Sequence, residues 1–162
     1  MIKHSVNIHR GCFGGCAFCT ISAHQGKFIN SRSEKSIIAE IEKVTQMPDF
    51  KGYVSDIGGP SANMYGMHGR DLTMCAKCVR PSCLHPHPCA NLDNSHERLL
   101  ALYDRIAKVK GVKKAFIGSG IRLEQVNLKK NDLVHERLNF YMGKNTMERQ
   151  NFIIENLVVE ED

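Results

Sequence analysis

Three short apolar segments, each ending in a glycine-rich turn, set the tightest limit on what this chain can fold into. Residues 4–9 alternate loosely and run into Arg10-Gly11-Cys12. Gly52-Tyr-Val-Ser-Asp-Ile57 stops at Gly58-Gly59-Pro60, and Lys113-Lys-Ala-Phe-Ile117 stops at Gly118-Ser119-Gly120. Runs of this length and pattern read as strands. After the first, Ile37, Ile38, Ile41, Val44 and Met47 recur at helical spacing, with Ser33 as the cap and Pro48 at the end. After the second, Leu99, Leu102, Tyr103, Ile106 and Val109 form one face of a helix that starts near Asn94 or Ser95 and stops at Gly111. Weaker helical patterns cover about 132–142 and 146–158. The alternation predicts an α/β fold of three βα units, with parallel strands and right-handed crossovers.

In such folds ligands gather beyond the C-terminal ends of the strands, so the three glycine turns should converge. The first turn carries Cys12-Phe-Gly-Gly-Cys16-Ala-Phe-Cys19, a C-x3-C-x2-C triplet. Three thiolates can hold three irons of a four-iron cluster and leave one iron open to a small molecule. Gly11, Gly14 and Gly15 let the loop turn tightly and bring backbone close to such a cluster. A disulfide framework fits poorly with an odd count of seven cysteines and an N-terminus lacking an apolar leader. Zinc is the sharper rival, with His9 or His24 as a fourth ligand.

The other four cysteines, Cys75, Cys78, Cys83 and Cys89, are spaced C-x2-C-x4-C-x5-C, with Pro81, Pro86 and Pro88 among them. Proline at that density argues against a regular helix or strand. Residues 70–92 therefore read as an irregular insertion that something must order. Zinc or a second iron–sulfur cluster would do so; the alternative is a flexible loop of reduced thiols.

Composition narrows the setting. No run approaches the length of a membrane span. The absence of a leader points to a reducing, cytoplasmic location. The formal charge of +5 is spread along the chain, without a basic block, which argues against a nucleic-acid footprint.

The stretches Arg10-Gly-Cys-Phe-Gly-Gly-Cys-Ala-Phe-Cys19, His24-Gln-Gly-Lys-Phe28, Ser31-Arg-Ser33, Gly52-Tyr-Val-Ser-Asp-Ile-Gly-Gly-Pro60 and Gly118-Ser-Gly-Ile-Arg122 resemble the YgiQ-type (UPF0313) radical S-adenosylmethionine (SAM) proteins. The resemblance spans roughly residues 1–122 and implies a partial (β/α) radical SAM barrel, of which only about three βα units are read here. On that comparison residues 1–122 look like the N-terminal half of a radical SAM core and 123–162 like a divergent or truncated helical segment, so the chain resembles a fragment.

The resemblance also implies site roles. Cys12, Cys16 and Cys19 match the ligands of a [4Fe-4S] cluster, and Phe18 stands at a position usually aromatic in that family. Gly58 and Gly59 match the turn that meets the SAM amino group, while Pro60 replaces a frequent Glu. Ser119 and Arg122 would face SAM or substrate. The implied activity is reductive cleavage of SAM to a 5′-deoxyadenosyl radical acting on an unknown substrate, with electrons from a flavodoxin- or ferredoxin-type donor. The residues themselves leave two other readings open: an iron–sulfur electron carrier, or a zinc-stabilised binding module without catalysis.

Overall fold

The computed structural model describes residues 3–121. Arg122, the segment 123–162 and the helical patterns at 132–142 and 146–158 lie outside the described residues.

The chain opens with β1 (Ser5–Asn7) and β2 (His9–Arg10), then α1 (Ile21–Gln25), β3 (Asn30–Ser31) and α2 (Glu34–Thr45). β4 (Tyr53–Val54) and β5 (Asp56–Gly58) follow, then a 3-10 turn at Ala62–Met64, α3 (Leu72–Ala76), α4 (Glu97–Ile106) and β6 (Lys114–Ala115). β1 runs parallel to β5 with Val6 opposite Ile57, and β4 runs parallel to β6 with Val54 opposite Ala115. β4 and β5 are two halves of one extended course broken at Ser55, whose amide bonds the His4 carbonyl at 3.0 Å. The Ile57 amide reaches the Phe116 carbonyl on the other side, also at 3.0 Å. Residues 53–58 therefore lie between the first and third segments, which makes three neighbouring strand courses, all parallel. β2 pairs antiparallel with β3, which folds the cysteine loop back against the strand that leads into it.

The helices form where periodicity and capping agree. Ser33 caps α2 by accepting the Ser36 amide at 3.3 Å, and α2 buries Ile37, Ile41 and Val44. α4 buries Leu99, Leu102, Tyr103 and Ile106 on the face predicted for it. These side chains meet Val6, Ile8, Val54 and Ile57 in the main core. Burying each such aliphatic side chain contributes about 1.5–3 kcal/mol. The Tyr103 hydroxyl donates to the Ile57 carbonyl, which ties α4 to β5 at the level of the glycine turn.

The segment 70–92 departs from its reading as irregular throughout. Cys75 sits on α3, and Asp71 caps that helix by accepting the Thr73 amide at 2.8 Å and the Met74 amide at 3.3 Å. The prolines all lie beyond α3, so they do not oppose it. The rest of the segment follows turns, closed by a bridge between Gly69 and Leu92. Part of its order has an apolar source. Met64, Met67, Leu84 and Leu92 pack with Cys12, Phe13 and Cys83 in a second buried cluster. No helix among the described residues is long and apolar enough to cross a membrane.

Candidate functional site: two cysteine loops beside the strand ends

The ends of the three strand courses come together. Gly58 is buried against Ser119, and a Cβ at Gly58 would overlap the Ser119 hydroxyl. Asp56 fastens that junction. Its carboxylate accepts the Gly118 amide at 2.8 Å, the Ser119 amide at 3.0 Å and the Ser119 hydroxyl at 2.8 Å. Gly59 lies against the ring of His9, where an added Cβ would stand 2.6 Å from Nε2. His9 is fully buried, and its Nε2 donates to the Ser61 carbonyl at 2.8 Å. That bond fixes the neutral tautomer and leaves Nδ1 without a partner. Burial holds the His9 imidazole below its ordinary pKa, against the opposing pull of the Ser61 and Arg10 backbone groups. His9 thus joins the cysteine loop, which starts two residues later, to the Gly58–Gly59 turn.

The loop from Gly11 is clamped on one side. The Cys12 amide bonds the Gly26 carbonyl at 3.1 Å, and Gly11, at φ 87°, lies so close to the Phe28 carbonyl that any Cβ would overlap it. Cys12 is buried, and its sulfur accepts the Gly14 amide at 3.4 Å, while Cys16 and Cys19 are half-buried. The Cys19 amide closes a turn onto the Cys16 carbonyl at 3.1 Å. Phe18 projects outward, 91% exposed. A cavity of about 770 Å³ opens beside this loop, with Gly14, Gly15, Cys16 and Phe18 on one side and Leu84, His85, Pro86 and Pro88 on the other. Gly58, Gly59 and Ser119 do not line it. Of the two histidines considered as a fourth zinc ligand, His24 is exposed on α1 and His9 is engaged with Ser61.

The second cysteine group packs directly on the first. The Cys83 amide bonds the Phe13 carbonyl at 3.0 Å, and the buried Ser82 hydroxyl donates to the same carbonyl at 3.3 Å. Cys75, Cys83 and Cys89 line one small cavity together with Phe13, Phe28 and Leu92. Cys78 does not line it and is exposed, with the Lys27 ammonium 3.7 Å from its sulfur. The Arg80 amide, more than Lys27, draws the Cys78 thiol below its usual pKa. Burial pushes the Cys83 thiol up. Among the described residues no three His, Cys, Asp or Glu side chains stand in a ready metal-holding group.

Three contributors to the geometry of the site went unread in the sequence: Asp56 as the clasp of the third turn, His9 as the link between loops, and Lys27 beside Cys78. Asp56 had a signal, a carboxylate one residue before the end of a strand pattern. Lys27 had none, since its partner is 51 residues away.

Fold and site together define an α/β unit with two cysteine-bearing loops at the ends of parallel strands. The chain belongs to the UPF0313 family. It is 64% identical to a UPF0313 protein of Porphyromonas gingivalis over 124 residues, 76% of this chain and 20% of the relative. It is 56% identical to one of Bacteroides thetaiotaomicron over 158 residues, 98% of this chain and 24% of the relative. A Methanocella arvoryzae relative is 51% identical over 123 residues, 76% of this chain and 20% of the relative. The chain thus spans about a fifth to a quarter of the length of these curated relatives. At 158 residues the Bacteroides match necessarily runs past Arg122, farther than the resemblance legible in the sequence. No protein-family model matches the chain.

Proposed function

We propose that this chain carries the cofactor-binding part of a radical SAM enzyme, a partial (β/α) barrel in which Cys12, Cys16 and Cys19 hold a [4Fe-4S] cluster. The observation that carries the reading is three thiols within eight residues, on a glycine-rich loop that follows a strand and is linked through His9 to the Gly58–Gly59 turn. The donor set fits the group: thiolates are the usual ligands of such clusters, and three of them leave one iron open. Such a cluster, once bound and reduced, supplies the electron that splits SAM into methionine and a 5′-deoxyadenosyl radical.

The chain's own residues do the rest. The Gly14 amide donates to the Cys12 sulfur at 3.4 Å and so helps to orient it. The Gly58–Gly59 turn, with Ser119 and His9 packed where side chains would stand, would offer its backbone to a polar ligand end. Ser119, held by Asp56, adds a hydroxyl beside that turn. The 770 Å³ cavity beside Cys16 is of a size that takes a cofactor-sized molecule. The substrate and an electron donor of flavodoxin or ferredoxin type belong to the whole protein.

The test is anaerobic iron reconstitution followed by iron analysis and electron paramagnetic resonance of the reduced protein, with and without SAM. About four irons per chain are expected, absent after joint Cys12→Ala, Cys16→Ala and Cys19→Ala. A shift of the reduced-cluster spectrum on adding SAM is expected from ligation at the open iron. Unchanged iron in the triple variant overturns the ligand assignment. A spectrum indifferent to SAM favours an electron carrier instead.

A further inference from the structure

We propose that Cys75, Cys78, Cys83 and Cys89 form a closed four-thiolate site for a single zinc ion, which staples residues 70–92 onto the Cys12 loop. The site is separate from the triplet and does not depend on what the triplet binds.

Four features converge on it. Cys75, Cys83 and Cys89 come from different places in the segment yet line the same cavity, and Cys78 is exposed three residues after Cys75. The backbone arranges the ligands in two short loops. The Cys78 amide turns back onto the Cys75 carbonyl at 3.1 Å, and the Cys89 amide bonds the Cys83 carbonyl at 2.7 Å. Each half of the site is therefore held by a backbone hydrogen bond before any ligand arrives.

Two of the sulfurs already have donors beside them. Asn91 Nδ2 donates to the Cys75 sulfur at 3.3 Å, and the same Nδ2 bonds the Asp71 carbonyl at 2.8 Å. Lys27 Nζ lies 3.7 Å from the Cys78 sulfur and also reaches the Arg80 carbonyl. Donors of this kind stabilise thiolates around a metal and offset part of a net negative four-thiolate centre. Gly69 makes room: a Cβ there would overlap the Cys75 sulfur, so the cavity wall is backbone at that point.

Cavity size selects the ion. The cavity that Cys75, Cys83 and Cys89 line is about 20 Å³. Holding one water-sized sphere takes about 10–15 Å³, so the cavity suits one ion. A single ion among four thiolates, with no open position, is a structural zinc site. Binding displaces the thiol protons, so occupancy rises with pH.

The experiment uses the full chain with Cys12, Cys16 and Cys19 all replaced by Ala, so that loss of the first site cannot be confused with loss of the second. Purified with zinc available, this variant should retain about one zinc per chain. Cobalt loaded in its place should give the intense thiolate charge-transfer and visible bands of a tetrahedral four-sulfur site. Adding Cys78→Ser, at an exposed position that does not serve the core, should remove the zinc and the cobalt bands while circular dichroism stays unchanged; Cys89→Ser is the second variant. Iron–sulfur absorption in the parent variant, or no stoichiometric zinc in it, overturns the proposal. Zinc retained by both the Cys78→Ser and Cys89→Ser variants overturns it equally.

Discussion

Asp56 grips Ser119 with both carboxylate oxygens, each 2.8 Å from the serine hydroxyl, across 63 residues of chain. The same Oδ1 accepts the amides of Gly118 and Ser119. One side chain at the end of the middle strand course thereby sets the turn at the end of its neighbour. Hydrogen bonds to an ionised acceptor contribute more than neutral ones, about 1.5–3 kcal/mol each when not fully exposed. Because Asp56 is half-buried, Asp56→Ala should lower unfolding free energy by about 1–3 kcal/mol, and Asp56→Asn by less. Urea denaturation checks this, and an Ala variant as stable as the parent would remove Asp56 as the clasp.

Gly58 tests the same junction from the other side. Gly58→Ala places a methyl where the Ser119 hydroxyl now stands, with the Ser119 Cβ only 3.0 Å away. Overpacking of this kind costs about 1–3 kcal/mol. Removing the obstruction with Ser119→Gly should recover part of that loss, so the double variant should be more stable than the sum of the single effects predicts. Additive effects would mean that Gly58 is needed for another reason.

The parts of the fold that could be read in the sequence are those held by local pattern. Ile37, Ile41 and Val44 on α2, and Leu99, Leu102 and Ile106 on α4, repeat at helical spacing, and Ser33 caps where a cap was expected. α3 was missed although its cap, Asp71 followed by Thr73, was present, because the prolines beyond it coloured the whole segment. β2 and β3 are two residues each, too short for any periodicity, and form only because His9 and Arg10 meet Ser31 and Asn30 across a loop. At the site, the two cysteine groups were visible as spacings. Their mutual packing was not, because it rests on Ser82 and Cys83 bonding Phe13 some 70 residues earlier, and no local pattern encodes that.

Two buried imidazoles should make stability depend on pH. Desolvation, the largest influence on each, holds both His9 and His96 below their ordinary value of 6.5. The unfolded chain therefore protonates at a higher pH than the native one. Their contribution is fully present above pH 6.5 and is lost as pH falls from there toward the depressed native values. Over that window each adds a slope of at most about 1.4 kcal/mol per pH unit. His96 has φ 60°, which asparagine tolerates, so His96→Asn is the variant of choice. Urea midpoints between about pH 5.5 and 7.5 should fall less steeply toward acid in the variant. Equal slopes would show that His96 protonates alike in both states.

Ser82 is where the two cysteine loops are joined most directly. It is 3% exposed, and its hydroxyl does three things. It donates to the Phe13 carbonyl at 3.3 Å and accepts the amides of Leu84 at 3.0 Å and His85 at 2.9 Å. Ser82→Ala leaves the buried Leu84 amide and part of the Phe13 carbonyl unpaired, at about 1–3 kcal/mol for each buried group left unsatisfied, and the part-buried His85 amide at less. The Cys83–Phe13 bond and the apolar packing of Cys83 and Leu84 then carry a weakened junction, so residues 80–90 should open from the Cys12 loop more often. Two readings should move together. Limited proteolysis should nick the 80–90 region faster, and iron retained at Cys12, Cys16 and Cys19 after reconstitution should fall, although none of those cysteines has been touched. Faster nicking with iron loading unchanged would show that the first loop keeps its shape without the second. Both readings unchanged would show that the Ser82 hydroxyl does not hold the loops together.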